Sequence, residues 1–394
     1  MYISRLALDH FRSWEQCLLD LAPGITIFYG ENGIGKTNIV EAVEFLSTGM
    51  SHRASSAKPL IQAGQPSAHI RANVEFSADL QTQYAVTLSS RGGHRARVNG
   101  GASGFLRDVL GQVPSVTFAP EDQRLVSAEP ALRRQFLDTA ATVLFPQYYE
   151  LLQRYTHIAK QRAALLKNVA ALRMQGDADL SQVFLGLEIW TTQLVQTGLE
   201  LTDLRAEVCQ KLAEPFARIY RHVAGETQRI QLTYLPSYGD DEYDAVIAHY
   251  QRLFDGEVAQ ARNLIGPHRD DLEFSLNGMN AKDYASNGEM WSIALALKMA
   301  LFEVMKEAKE TIPILILDDV FAQLDNARRS QILDFASQND QVLITVAAKD
   351  DVPAQLLSTE LQERVHFVDV EALRQAEEKL AEMPKLEDFL KHDA

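Results

Sequence analysis

A glycine-rich octapeptide near the start of the sequence has the composition and spacing of a phosphate-binding loop. It reads Gly-Glu-Asn-Gly-Ile-Gly-Lys-Thr and matches the Walker A pattern G-x-x-x-x-G-K-[ST] at every fixed position. In such a loop the backbone N–H groups surround a polyphosphate, the lysine reaches the β- and γ-phosphates, and the hydroxyl ligates Mg²⁺. The nucleotide-binding residues predicted are Gly30, Glu31, Asn32, Gly33, Ile34, Gly35, Lys36 and Thr37. Of these, Lys36 is also a catalytic candidate and Thr37 a metal ligand.

The segments on either side of this loop match the structure that a phosphate-binding loop requires. Residues 25–29 (Ile-Thr-Ile-Phe-Tyr) form an apolar run that predicts a buried strand, and the apolar residues after the loop recur at helical spacing. A glycine-rich turn without a ligand is the alternative. It is disfavoured because strand, loop and helix occur in the expected order.

A second candidate for the same chemistry lies near the other end of the chain. Residues 313–317 (Pro-Ile-Leu-Ile-Leu) predict a buried strand, and Asp318 and Asp319 follow it, as in a Walker B motif. Asp318 is the expected Mg²⁺ ligand, and Asp319 is placed to orient and deprotonate an attacking water. Because apolar strands that end in aspartate are common, this motif gains its weight from the phosphate-binding loop.

A short turn at residues 286–289, Ser-Asn-Gly-Glu, precedes a segment that is apolar on nearly all sides. A helix of that composition is buried. Its first turn would present the hydroxyl of Ser286, backbone N–H groups including that of Gly288, and the positive end of the helix dipole. This combination suits an anion.

The phosphate-binding loop with Lys36 and the Walker B motif with Asp318 lie far apart in the sequence, and this separation determines the predicted architecture. Two motifs that act on one nucleotide must meet, so both ends of the chain build one domain. We predict an α/β head formed by residues 1–117 and 263–394, with a mainly helical domain inserted at residues 118–262. In simple P-loop kinases and GTPases the two motifs usually lie much closer together.

Two heptad-like stripes within the insertion predict long helices. Mostly apolar residues recur in steps of three and four along residues 151–172 and 180–208, and the polar segment between them, residues 174–179, is short. Because short connections favour antiparallel neighbours, these helices are predicted to form a projecting helical hairpin. The core of an ordinary helical domain is the alternative.

The composition of the chain excludes several classes of protein. The 394 residues are 46% hydrophobic, and no run approaches the roughly 18 apolar residues of a membrane span. The N-terminus lacks the apolar region of a signal peptide, and Cys17 and Cys209 have no metal-ligand spacing. We therefore expect a cytoplasmic protein without a membrane association, disulfide framework or zinc site. The formal charge of −15 requires that any contact with DNA be a local, salt-sensitive basic patch.

Two groups of arginines are candidates for phosphate contacts. Arg91, Arg95 and Arg97 precede an Asn-Gly turn among alternating strands, which would place them on one exposed ribbon. They are the predicted DNA-binding residues, and a solvated charged face is the alternative. Arg12 precedes the phosphate-binding loop and is either a nucleotide contact or an ordinary surface arginine. The charged tail, residues 371–394, is assigned only to packing or solvation.

These motifs resemble those of the RecF family, within the SMC class of ABC-type ATPases. The similarity extends along nearly the whole chain and includes residues 30–37, 51–53, 120–122, 133–138, 266–271, 286–289 and 317–325. The resemblance implies an ABC-type P-loop ATPase head with a short arm, bound ATP and Mg²⁺, and a homodimer that forms on ATP. It also implies that Ser286 and Gly288 form a signature motif offered to the other subunit's nucleotide, and that Asp325 is the D-loop aspartate.

The resemblance further implies a role in recombinational DNA repair, at stalled forks and single-strand gaps, with RecO and RecR as partners that help load RecA during the SOS response. We therefore predict a slow, DNA-dependent ATPase whose dimer closes on duplex or gapped DNA with ATP and opens on hydrolysis. A non-hydrolysing, nucleotide-gated scaffold and a small-molecule kinase are the alternatives. A kinase would need an acceptor, whereas a composite dimer site gives specific activity that rises with protein concentration.

Three departures from the family pattern concern turnover more than nucleotide binding. The D-loop has Ala322-Gln323 where Ser-Glu is usual, the signature has Asn287 where Gly or Gln is common, and no switch histidine follows Thr345. Gln123 is a candidate Q-loop residue, with a plain surface role as the alternative.

Overall fold

The computed structural model describes residues 1–54, 56–77, 79–175, 181–239, 242–353, 356 and 362–382. The chain divides into two compact units. The first comprises Met1–Asp122 and Leu301–Ala394, and the second comprises Gln123–Ala300. The division predicted from the sequence, with boundaries after residues 117 and 262, stays a prediction.

The strands and α-helices of the described residues form two series, each numbered in chain order. The strands are β1 (Tyr2–Phe11), β2 (Trp14–Asp20), β3 (Gly24–Tyr29), β4 (Ser67–Ser77), β5 (Leu80–Ser89), β6 (Arg95–Val98), β7 (Gly104–Phe105), β8 (Ser115–Phe118), β9 (Ile230–Leu235), β10 (Asp271–Leu276), β11 (Met279–Asn280), β12 (Ile314–Asp318), β13 (Gln341–Val346) and β14 (Val365–Asp369). The α-helices are α1 (Lys36–Thr48), α2 (Arg124–Ser127), α3 (Pro130–Leu144), α4 (Tyr148–Gln175), α5 (Ser181–Ala224), α6 (Tyr243–Gln260), α7 (Ala281–Tyr284), α8 (Asn287–Lys309), α9 (Asn326–Ser337) and α10 (Val370–Glu382).

A five-stranded parallel sheet in the first unit brings the two motifs together. Its strand order is β14-β3-β13-β12-β8. β12 and β13 are buried throughout and β3 is buried except at its last residue, as expected for apolar strands of a parallel sheet. The glycine-rich loop follows β3, and Asp318 ends β12 in register with Thr345 of β13. The carboxyl ends of these strands therefore meet at one edge. The strands predicted at residues 25–29 and 313–317 are confirmed.

A six-stranded antiparallel sheet, β2-β1-β4-β5-β6-β7, completes the first unit. Buried and more exposed residues alternate along β4 and β5, so this sheet has one face toward a core. The buried amide of Gln341 joins β13 to β1, because it accepts from the N–H of Ile3 at 2.9 Å and donates to its carbonyl at 2.9 Å. Helix α1 contacts strands of both sheets. Both ends of the chain thus build one α/β head.

In the second unit, α4 and α5 form the antiparallel hairpin of a helical arm. Arg154 pairs with Glu200, whereas Arg162, further along α4, donates to Thr191, nearer the start of α5. The described residues of both predicted stripes are buried or half-buried. Helix α6 packs against both helices, so the hairpin shares a core with a third helix. Residues 176–180, which include Leu180 and most of the predicted connection, lie outside the described residues.

Arg205 of α5 is the centre of a buried polar cluster in the second unit. Its guanidinium pairs with Asp138 and Asp270, each at 2.8 Å, and donates to the carbonyl of Pro267 at 2.7 Å. Tyr234 also donates to Asp270. Pro267 and Asp270 belong to segment 266–271, one of those that carry the family resemblance, and this segment is therefore held in place from within the unit.

Two further features bear on the expectations from composition. Cys17 and Cys209 are both free and buried. Within the ranges that the structure describes, no helix is long and apolar enough to cross a lipid bilayer. Residues 383–394 of the charged tail are outside those ranges.

Candidate nucleotide-binding site

The glycine-rich loop has the backbone conformation that converging N–H groups require. Gly30, Gly33 and Gly35 have φ angles of 145°, 85° and 115°, where other residues are strained. A Cβ atom at Gly35 would lie 2.9 Å from both the indole nitrogen of Trp14 and the guanidinium of Arg374, so only glycine fits. Helix α1 begins at the next residue, and the positive end of its dipole therefore adjoins the loop.

Lys36 lies folded back over the loop. Its ammonium donates to the carbonyl oxygens of Gly30 at 2.5 Å and Glu31 at 2.9 Å. Burial lowers the pKa of Lys36, while the carboxylates of Asp319 and Asp318 oppose that shift. The ammonium therefore lies within the loop, where phosphate oxygens of a bound nucleotide would replace the carbonyl oxygens of Gly30 and Glu31 as its hydrogen-bond acceptors.

Asp318 is held by three side chains at the buried end of β12. Its Oδ1 accepts from Thr37 at 2.9 Å and from Thr345 at 2.6 Å, and its Oδ2 lies 3.5 Å from Nε2 of His52. Burial alone would raise the pKa of Asp318. The contacts with His52, Thr345 and Thr37 outweigh burial and keep this pKa below its ordinary value. Asp318 is thus a carboxylate at physiological pH.

His52 bridges this aspartate to helix α1. Its Nδ1 lies 2.6 Å from Oε2 of Glu44, which also accepts the backbone N–H of His52 at 3.1 Å. Burial lowers the pKa of His52, but Glu44 and Asp318 more than compensate and raise it to about 10. The imidazole is therefore a cation between two buried carboxylates.

Asp319 has a different environment from its neighbour. Its backbone is left-handed, with φ of 53°, and its N–H donates to the hydroxyl of Thr345 at 2.9 Å. Burial and the charge of Asp318 raise the pKa of Asp319, while Lys36 opposes them. A carboxylate with a raised pKa is a better proton acceptor near neutral pH.

The residues at this sheet edge fit Mg²⁺ and a polyphosphate. The hydroxyl of Thr37 and the carboxylate of Asp318 touch each other, so one cation can contact both. Mg²⁺ characteristically takes one or two protein oxygens and completes its shell with phosphate and water. The glycine-rich loop and Lys36 supply the donors that the phosphates require.

Arg12 is paired with a carboxylate. Its guanidinium donates to both oxygens of Glu41, at 2.8 Å and 2.5 Å, and to the carbonyl of Pro59 at 3.1 Å. Glu41 is fully buried and also accepts from Ser51. The structure therefore uses Arg12 to neutralise a buried charge of α1, and its predicted contact with nucleotide stays a prediction.

The signature turn is built as a helix cap. Ser286 precedes α8, and its backbone N–H and hydroxyl both donate to the carboxylate of Glu289 at 2.8 Å. In return the N–H of Glu289 approaches the Ser286 hydroxyl at 3.3 Å, which completes a capping box. Gly288 lies in the first turn. The amide of Gln123 reaches Asn287 at 3.3 Å. These residues belong to the second compact unit, whereas the phosphate-binding residues belong to the first.

Asp325 also caps a helix. Its carboxylate accepts the backbone N–H of Arg328 at 2.9 Å at the start of α9 and pairs with the Arg328 guanidinium. Asp325 therefore has a structural role within its own unit, and its predicted nucleotide contact stays a prediction.

The arginines predicted to contact DNA lie on an exposed ribbon. Arg91 is in the connection between β5 and β6, and Arg95 and Arg97 project from the same face of β6. Asn99 and Gly100 follow β6 with positive φ angles, as their sequence predicted.

Sequence reasoning missed several residues at this site. His52 lies in segment 51–53, which was included in the family resemblance but was given no role. Thr345 was mentioned only because no switch histidine follows it. Arg374, which lies beside Gly35, and Glu371, which accepts the backbone N–H of Glu31, fall in the tail that was assigned to packing or solvation. The signal that would identify His52 is a basic residue between two buried acidic residues. That signal is visible only in the folded chain, where Glu44 and Asp318 lie on either side of the imidazole.

The fold and the site define the class of protein. It is an ABC-type P-loop ATPase head with an inserted helical arm. In agreement, the family model described as the RecF/RecN/SMC N terminal domain matches residues 2–361.

Similar proteins narrow this class to one family. The chain is 55% identical over 380 residues to the DNA replication and repair protein RecF of Bifidobacterium adolescentis, covering 95% of this chain and 92% of that protein. It is 53% identical to RecF of Bifidobacterium longum subsp. infantis, with 95% and 90% covered. A solved structure described as the recombination mediator protein RecF-ATP in the RecFOR pathway superposes with a TM-score of 0.78 at 26% identity, over 89% of this chain and 93% of that one. The chain belongs to the RecF family.

Proposed function

We propose that this protein is an ATP-dependent DNA-binding protein that acts as a recombination mediator in DNA repair. The observation that carries the nucleotide part is the direct contact of Thr37 with Asp318 beside a glycine-rich loop and Lys36. The similarity to a RecF structure described with ATP supports ATP as the nucleotide.

The site residues of the first unit each have a distinct role in the proposed function. The loop N–H groups and Lys36 bind the phosphates, with Lys36 exchanging the carbonyls of Gly30 and Glu31 for phosphate oxygens. Thr37 and Asp318 hold Mg²⁺, which when bound neutralises phosphate charge. Asp319 orients the attacking water and accepts its proton, for which its raised pKa is suited.

Closure of a homodimer is the step that we assign to ATP binding. Ser286 and Gly288 at the N-terminal end of α8 bind the nucleotide held by the partner subunit, where the helix dipole favours phosphate. Asp325 contacts the same interface. Binding free energy thereby closes the dimer on duplex or gapped DNA, and slow hydrolysis opens it.

The proposed partners follow from the family and from the basic ribbon. Arg91, Arg95 and Arg97 contact backbone phosphates of DNA. RecO and RecR are the proposed protein partners, because the similar structure is described as part of the RecFOR pathway. Assistance to RecA loading at single-strand gaps, in the cytoplasm, completes the proposal.

Sedimentation of Asp319→Asn protein with and without ATP and Mg²⁺ tests the composite site. We expect a shift from monomer to dimer with ATP, because the variant binds nucleotide but does not turn it over. The matched control is the double variant that adds Ser286→Arg, which places a bulky cation in the signature and should abolish the shift. A chain that stays monomeric at every workable concentration would refute the closure step and leave a nucleotide-binding module.

The same variant separates a hydrolysing switch from a static scaffold. If hydrolysis opens the dimer, DNA should dissociate from Asp319→Asn protein at least about tenfold more slowly than from the unaltered protein in the presence of ATP. Equal dissociation rates, measured by competition with unlabelled DNA, would show that hydrolysis is not part of the cycle.

A further inference from the structure

Helix α10 contacts the outer side of the phosphate-binding loop through one arginine. Nε of Arg374 donates to the carbonyl of Ile34 at 2.9 Å, and its Nη1 donates to the carbonyl of Ser13 at 2.9 Å. The guanidinium lies over the ring of Trp14, 3.5 Å from its centroid. Glu377, one turn further along α10, accepts from Nη1 at 2.6 Å and so fixes the direction of the guanidinium.

Two further side chains hold the same loop from outside. The indole N–H of Trp14, a fully buried residue, donates to the carbonyl of Gly35 at 3.1 Å. The carboxylate of Glu371 accepts the backbone N–H of Glu31 at 3.2 Å. Three backbone groups of the loop are thus bound by side chains from β2 and α10.

The reason for these contacts lies in the geometry of the loop. When successive N–H groups converge on an anion, the carbonyl groups of the same peptides point away from it and need partners of their own. The carbonyls of Ile34 and Gly35 receive charge-assisted or buried donors, which are the stronger kinds of hydrogen bond. A loop held in this way does not have to be ordered by its ligand.

We propose that Arg374 and Trp14 are positioning residues that hold the phosphate-binding loop in its anion-binding conformation, so that docking of α10 sets the affinity for nucleotide. This inference rests on the nucleotide binding proposed above. By linkage, a nucleotide that prefers the held loop also stabilises the docked helix. Any partner that displaces α10 would weaken nucleotide binding by the same factor.

Calorimetric titration of the full chain with ATPγS and Mg²⁺ tests this inference. We expect Arg374→Ala to raise the dissociation constant about tenfold, because a charge-assisted bond to the loop is lost. Trp14→Phe, which keeps an aromatic ring but loses the five-membered ring with its donor to Gly35, should raise it severalfold. Arg5→Ala is the matched control, since Arg5 forms an exposed ion pair with Asp20 in the same unit. The dissociation constant of this variant for ATPγS should equal that of the unaltered protein.

Hydrogen exchange distinguishes positioning from a general loss of stability. ATPγS should slow exchange in residues 370–377 of the unaltered protein and not in Arg374→Ala protein. If Arg374→Ala fails to fold, Arg374→Lys gives the same test, because an ammonium keeps the charge but lacks the planar guanidinium that reaches Ile34 and Ser13 from two separate nitrogens. Nucleotide binding by these variants equal to that of the unaltered protein would overturn the inference. If the unaltered protein itself does not bind ATPγS, the proposed function fails instead.

Discussion

Asp318 and Asp319 are adjacent residues whose surroundings shift their pKa values in opposite directions. The nearby His52 and hydrogen bonds from Thr345 and Thr37 outweigh burial at Asp318 and lower its pKa. Burial and the neighbouring charge raise the pKa of Asp319. Two carboxyl groups whose pKa values are separated in this way can serve as a metal ligand and a base, as acid and base roles are divided in enzymes with paired carboxyl groups.

The cation that makes this arrangement stable is His52. We expect His52→Ala to lower the free energy of unfolding by about 3 kcal/mol, because Glu44 and Asp318 would remain as unpaired buried carboxylates. Urea denaturation near neutral pH measures the loss.

The control for this variant is His69→Ala. His69 is a half-buried strand residue whose ring interacts with Thr87 at 3.0 Å and with no buried carboxylate pair. Its replacement should cost about 1 kcal/mol. Equal losses for the two histidine variants would show that the charge on His52 does not support the site.

At the scale of elements, the strand β6 gathers positive charge on one face. Ala96 is buried between Arg95 and Arg97, so the two arginines point the same way. The exposed ring of Phe105 on β7 lies 5.0 Å from the Arg95 guanidinium and 4.6 Å from that of Arg107. In a chain with a formal charge of −15, this ribbon is a local exception.

Replacing Arg91, Arg95 and Arg97 together by alanine should weaken DNA binding and flatten its salt dependence. Each lost phosphate contact lowers the slope of log affinity against log salt by about 0.9, so three contacts change it by about 2–3. Fluorescence anisotropy with gapped DNA across a salt series measures both quantities.

A triple variant with the same change in charge provides the comparison. Arg154, Arg218 and Arg221 are exposed arginines of the helical arm. Their replacement by alanine should leave the salt slope close to that of the unaltered protein. If both triple variants lose affinity equally, bulk charge rather than the ribbon governs DNA binding.

The elements of the head could be predicted because their signals are local. The strand before the glycine-rich loop, the helix after it and the strand before Asp318 each follow from a continuous pattern of about ten residues or fewer. Their meeting in one sheet followed from a physical requirement that two motifs act on one nucleotide. The hairpin likewise followed from periodic stripes, although packing of α6 against it did not.

The remaining contacts could not be predicted because their partners are distant in sequence. Arg374 and Ser13 are separated by 361 positions, and the charged tail has no pattern that indicates a contact with the loop. For Arg12, the sequence allowed either a phosphate or solvent as its partner. In the structure Arg12 pairs with Glu41, because that buried carboxylate requires a cation. Its contact with nucleotide stays a prediction.

For the molecule as a whole, acidification changes both the net charge and the free energy of unfolding. In the second unit, His268 makes this free energy depend on pH, because its imidazole is neutral in the folded protein. Its Nδ1 lies 2.7 Å from the hydroxyl of Tyr155, and its Nε2 lies 3.2 Å from the carbonyl of Asn263. Since a carbonyl only accepts, Nε2 carries the proton and Nδ1 accepts from Tyr155.

Burial lowers the pKa of His268 to about 4 from 6.5, with nearby Arg269, Arg134 and Arg205 adding to the shift. The unfolded chain therefore binds this proton at a higher pH than the folded one. The stabilisation, about 3 kcal/mol in total, is complete above about pH 6.5 and is lost as the pH falls to about 4.

His268→Gln should therefore make the free energy of unfolding less sensitive to acid. A glutamine amide can accept from Tyr155 and donate to the carbonyl of Asn263, and it does not titrate. Between pH 7.5 and 4.5, urea denaturation should show a decline about 2–3 kcal/mol smaller than in the unaltered protein. His222→Gln, at an exposed position near the end of α5, is the control and should parallel the unaltered protein. Parallel curves for His268→Gln would mean that this histidine is not the group that couples proton binding to unfolding, because the other titrating groups are common to both proteins.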